Sequence, residues 1–163
     1  MKSGITDKDI GFQDLLDVFD EMEDGVVVEV GVPADKGAFV YKAEDGVGGA
    51  PLILIASVNE FGSDDGRIPE RSYLRSTIDE NRDHFGEFLG KGLVKVMDGK
   101  WTPDQVMDAL GMEAVNKVQR KIDNLKEPPN AEATIKRKGS SNPLVDTGQL
   151  KQSIIHRVRK GDE

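Results

Sequence analysis

The element Leu144-Val145-Asp146-Thr147-Gly148 is the sharpest chemical lead in this sequence. Two apolar residues before Asp-Thr-Gly form the core of the aspartic protease motif, in which two such aspartates share a proton around a water. Its surroundings argue against that chemistry. A retroviral-type subunit places a flap and several strands after its aspartate, whereas 15 residues follow Gly148, and Gln149 stands where alanine or serine is usual. Asp146 or Thr147 is instead expected to cap a short terminal helical turn, offering a carboxylate or hydroxyl to free backbone N–H groups.

The other chemistry-bearing residues are scattered. His84 and His156 are the two histidines, with no carboxylate at ligand spacing, so neither a metal site nor a proton-transfer centre is indicated. His84 is expected on a helix surface and His156 on the outer side of a strand. The carboxylates of the N-terminal third lack the spaced Asp/Asn ladder and closing glutamate of a calcium loop. Gly46, Gly48 and Gly49 precede no Lys-Ser/Thr pair and open no Rossmann helix. No serine has a motif-based histidine partner. The chain therefore reads as a non-enzyme with no cofactor and no catalytic or metal residues.

The elements that would position these residues follow from periodicity. Thr6 begins a helix carrying Phe12, Leu15, Leu16, Phe19 and Met22 at helical spacing, ended by Gly25. Val26, Val28, Val30 and Val32 alternate with Val27, Glu29 and Gly31, the pattern of a strand. A second strand is expected over Ala38 to Lys42. Leu52 to Phe61 fits either a buried strand or a helix and is assigned to helix. From Leu74 the apolar positions Ile78, Phe85, Phe88, Leu89, Val96 and Met97 track one face of a long helix that stops at Gly99, with Gly86 and Gly90 one turn apart within it. Glycine weakens a helix, so another backbone is expected to approach there. Thr102, Pro103 and Gln105 make a capping box with proline at N1, opening a helix whose stripe is Val106, Leu110, Val118, Ile122 and Leu125. Pro128 and Pro129 stop it. A helical turn near Thr147 to Gln152 and a strand of Ile154 to Val158 close the chain. One domain over residues 1–163 is expected, with mobile loops at 45–51 and 139–143.

Composition sets the outer bounds. Apolar residues make up 37% and charged residues 32% of the chain, and there is no cysteine, which removes disulfides and thiolate metal sites. Met1 to Asp9 lacks the apolar stretch of a signal peptide, and the longest apolar run, Leu52 to Ala56, is far short of a membrane span. Cytoplasmic synthesis without membrane insertion is the expectation. The net charge of -8 is unevenly placed: residues 1–66 carry 4 basic and 15 acidic groups, and residues 128–163 carry 7 and 4. An acidic surface disfavours sequence-independent binding of nucleic acid, while ends of opposite sign suit head-to-tail association between copies.

Three motifs occur in order: Val58-Asn59-Glu60-Phe61-Gly62, then Ile68-Pro69-Glu70-Arg71-Ser72-Tyr73-Leu74-Arg75, then Pro143-Leu144-Val145-Asp146-Thr147-Gly148-Gln149-Leu150-Lys151-Gln152-Ser153-Ile154. Together they resemble the neck and tail-completion (head-to-tail joining) proteins of long-tailed bacteriophages, also called minor tail components. The resemblance spans about Val26 to Val158 and includes Thr134 to Gly139. Ser72-Tyr73 replaces the commoner Pro-Phe pair but keeps the aromatic anchor. The resemblance implies a virion structural protein, assembled in the host cytoplasm, whose copies form a homo-oligomeric ring in the neck. Its partners would be a connector or stopper protein and a tail tube or tail terminator protein, with DNA only passing through the channel. Asn59, Glu60, Phe61, Gly62, Pro69, Arg71, Leu74, Asp146, Thr147, Gly148 and Leu150 would be its signature residues. In that reading Asn59 and Glu60 cap or pair at the end of their segment, Arg71 and Arg75 pair with acids, and Tyr73 and Leu74 anchor the long helix. The alternatives are a tail terminator or head-side stopper, a small hydrolase using Asp146, and a regulatory binding protein unrelated to phage. The expected fold is α+β: a small, mostly antiparallel sheet of Val26–Val32, Ala38–Lys42 and the C-terminal strand, packed against two long helices plus the N-terminal helix.

Overall fold

The computed structural model describes residues 25–37, 40 and 49–160. The helix expected from Thr6 to Met22, most of Ala38 to Lys42 and residues 45–48 lie outside them.

The described chain is α+β. Strand β1 (Val26–Gly31) pairs antiparallel with β2 (Ile155–Lys160), in a register that sets Val28 opposite Val158 and Val30 opposite His156. Val26, Val28 and Val30 turn inward while Val27 and Glu29 face out, as the alternation predicts. On the outer face Arg159 Nε donates to Glu29 Oε1 at 2.7 Å. Val40 does not extend this sheet: it makes an isolated antiparallel bridge to Pro51.

Seven helices fill the rest of the described chain: α1 (Ala34–Gly37), α2 (Leu52–Phe61), α3 (Arg75–Glu80), α4 (Arg82–Met97), α5 (Pro103–Asn124), α6 (Glu132–Lys138) and α7 (Gln149–Ser153). Helix α5 is the spine, crossing both strands and packing against α4. Its start is the predicted capping box: Gln105 N–H donates to Thr102 Oγ1 at 3.3 Å, and Thr102 N–H donates to Gln105 Oε1 at 2.9 Å. Val118 and Ile122 of α5 are fully buried and meet Leu52 and Ala56 of α2, Tyr73, Leu144, Leu150 and Ile154 in one core.

Three sequence expectations change. The long helix from Leu74 is two helices, because the chain leaves helical geometry at Asn81 (φ -114°, ψ 15°), where the Asn81 side chain donates to the Thr77 carbonyl. Gly86 and Gly90 have nothing described within 4 Å of where a Cβ would stand; the close approaches are at Gly92, where a Cβ would meet Val106 of α5, and at Gly111, where it would meet the His156 ring. Finally, His156 is not on the outer side of its strand. The register puts it beside Val30 on the face toward α5, where Gly111 leaves room for the imidazole and Nε2 reaches Asp108 Oδ1 at 2.8 Å.

Candidate functional site

The first two motifs are joined through one carboxylate. Glu60, in the last turn of α2, is 4% exposed. Its Oε2 accepts from the backbone N–H of Tyr73 (2.8 Å) and Leu74 (2.9 Å), and its Oε1 from Arg75 N–H (2.9 Å), Ser72 Oγ (2.7 Å) and Arg75 Nε (3.1 Å). The three backbone donors stand at the start of α3, where N–H groups have no intrahelical partner and the helix dipole favours an anion. Glu60 therefore caps a helix 14 residues downstream in place of a local side chain, since Leu74 at the N-cap offers none. Burial pushes the Glu60 carboxyl upward, but the hydrogen bonds from Leu74, Arg75, Ser72 and Tyr73 outweigh it and hold the group below its ordinary 4.5. The same burial, with the Glu60 charge nearby, raises the Tyr73 phenol.

The rest of the first two motifs serves this junction. Asn59 donates to the Ile55 carbonyl, and its own carbonyl accepts from Arg71 N–H at 2.7 Å. Gly62 (φ 82°) has a positive φ, and a Cβ there would lie 3.1 Å from Glu70 N and 3.2 Å from Ile68 O, so the turn requires glycine. Phe61 is exposed, with the Arg75 guanidinium 4.5 Å above its ring. Arg75 pairs with Glu60 and Glu70, as expected. Arg71 departs from expectation: its Nε and Nη2 donate to the carbonyls of Pro128 (2.8 Å) and Pro129 (2.9 Å), and no carboxylate pairs with it among the described residues. Those carbonyls follow α5, so motif two locks the end of the spine helix to the end of α2. Leu74 packs against the core and Leu150 lies within it.

The third motif meets the other two across a groove of about 990 Å³. Asn59, Pro69, Arg71, Asp146, Thr147, Gly148 and Leu150 all line it. Glu60, Phe61, Gly62 and Leu74 do not. Asp146 is not a helix cap: Gly148 (φ 78°) takes the N-cap position of α7, which starts two residues later than a cap at Asp146 requires and one later than a cap at Thr147 requires, and has no side-chain cap. Asp146 instead acts on Lys138, countering part of the drop in pKa that burial imposes on that lysine. Lys138 Nζ also donates to the carbonyls of Asn142 and Pro143.

The groove is cationic, which motif reading missed. Arg67, Arg71, Arg137 and Lys138 line it against Asp146, and Asn130 Nδ2 is buried beside them without a hydrogen-bond partner among the described residues. The run Lys136-Arg137-Lys138 was the available signal; its folding into α6 over the groove was not legible. A buried guanidinium held by carbonyls alone is poorly compensated and favours the arrival of an anion. Among the described residues no His, Cys, Asp or Glu group is arranged to hold a metal ion. Compared with family models, curated proteins and solved structures, the chain matches none.

Proposed function

We propose that this chain is a structural virion subunit of the head-to-tail joining or tail-completion kind, one copy of a ring around the DNA channel of a phage neck. The observation that carries the reading is that the three resembling segments form a single built unit: Glu60 holds the second motif to the first, and all three line one groove. A resemblance seated in residues that hold the architecture together is a resemblance of architecture.

The groove adds a contact. A ring needs a surface on each subunit that fits a different surface on the next. The cationic groove and the acidic stretch of residues 1–66 have opposite signs, so the groove takes an acidic stretch of the neighbouring copy. The partners above and below are then a connector or stopper and a tail tube or terminator. The net charge of -8 lets DNA pass without being held. Among the described residues no helix is long and apolar enough to cross a membrane.

The test is electron microscopy of lysates from a phage or prophage in which the gene is disabled. Filled heads beside separate, finished tails support joining. Overlong tails move the role to termination, and intact infectious particles refute the reading. Complementation with Arg67→Glu/Arg137→Glu, two exposed groove cations, is expected to leave heads and tails apart while the protein stays folded.

A further inference from the structure

Helix α4 has two faces. Gly92 and Val96 are buried, with Gly92 against Val106 of α5. A second stripe at helical spacing holds Gly86, Gly90, Leu93, Val94 and Met97. Val94 is 56% exposed, Leu93 is exposed, and Met97, expected on the same face as Val96, is instead 67% exposed; apart from the helix's own neighbouring backbone, no described atom lies within 4 Å of where a Cβ would stand at Gly86 or Gly90. Glycine at two exposed helix positions weakens the helix and gains no contact within the described chain.

Charge is divided along the same stretch. On α4 itself the first half carries Asp83 and Glu87 against Arg82, whereas the second half carries Lys91 and Lys95 and no acid. One half is acidic and the other basic.

We propose that α4 pairs antiparallel with α4 of a second copy of this chain, about a two-fold axis midway between Gly90 and Leu93. Antiparallel pairing lays each acidic half against the basic half of the other copy, whereas parallel pairing sets like against like. In one register Gly86 receives the partner's Met97 and Gly90 receives the partner's Leu93, because both pairs share a midpoint. The stripe is thus self-complementary, small against large, as a two-fold contact requires. Without side chains at 86 and 90 the two helices approach closely, and the exposed Leu93, Val94 and Met97 leave water together.

This inference is independent of the function proposed above. No α4 residue lines the groove, and a two-fold axis cannot relate neighbours within a single cyclic ring. The pair is the form of the free chain in solution.

Sedimentation velocity on the full chain tests it. The wild type is expected at twice the 17.8 kDa chain mass, with the pair weakening as salt rises. Gly86→Gln/Gly90→Gln puts side chains into open space within the monomer and favours helix. It is expected to sediment at the chain mass, with unchanged circular dichroism, and to weaken pairing by about a hundredfold. Met97→Lys, at an exposed position, serves as a second variant should the first fail to fold. A wild type that stays at the chain mass overturns the inference, since the stripe is then covered by another protein or by residues of the same chain. An oligomer whose mass neither variant changes overturns it equally.

Discussion

Glu60→Gln is the most informative perturbation, because it keeps the shape of the Glu60 side chain and removes its charge and half of its acceptor capacity. Five donors converge on the carboxylate, two at Oε2 and three at Oε1. A glutamine amide must place its NH2 at one of these positions. At Oε2 it faces the N–H groups of Tyr73 and Leu74; at Oε1 it faces Arg75 N–H and Nε, while the Ser72 hydroxyl can turn to accept. Either orientation leaves two donors opposed by a donor, at about 1–2 kcal/mol each, or about 2–4 kcal/mol in all. For a chain of this length the thermal midpoint is expected to fall by roughly 10 °C. Because the Glu60 pKa is depressed in the folded protein, its stabilisation is complete above its ordinary 4.5 and is lost as pH falls through the lower folded value. The gap between wild type and variant should therefore be widest near neutrality and narrow in acid. Arg75→Ala removes the half-exposed partner and should cost only about 0.5–1 kcal/mol. Differential scanning calorimetry across pH measures all of this. A Glu60→Gln midpoint within about 1 °C of wild type at neutral pH would refute the claim that this carboxylate holds α2 to α3.

Arg71→Met keeps the length of the side chain but leaves the Pro128 and Pro129 carbonyls without their donors; a loss of about 2–3 kcal/mol is expected in urea unfolding. Gly111→Ala drives a methyl group into the His156 ring and should cost about 1–3 kcal/mol. Thr102→Ala removes half of the capping box and should cost about 1 kcal/mol, read by chemical denaturation.

Local signals were legible and distant ones were not. The valine alternation of β1 and the Thr102 capping box depend on residues a few positions apart, and both appear as expected. Leu52–Phe61 resolved as helix because its apolar residues have α5 and Tyr73 to pack against. The failures have a common cause in partners far along the chain. Arg71 bonds to carbonyls 57 and 58 residues away, so its neighbouring acids say nothing about it. The face that His156 takes is decided by pairing with β1, and its space by Gly111 on a third element. Asp146 looked like a cap because Asp and Thr so often are; the left-handed Gly148 moves the helix start past both. The groove cations come from separate segments that only the tertiary fold assembles.

The pairing of β1 with β2 has a consequence for how the protein is made. Glu29 and Arg159 touch across the sheet although they are 130 residues apart in sequence. On the ribosome, β1 emerges early and waits for its partner until synthesis has reached the far end of the sheet. The capped α5 can coil meanwhile, but its sheet-facing side stays uncovered, and closing so long a loop is slow. The sheet thus closes only once β2 has been made, and a valine-rich strand without its partner is exposed in the interval. Truncation just before β2 should therefore give a product that aggregates.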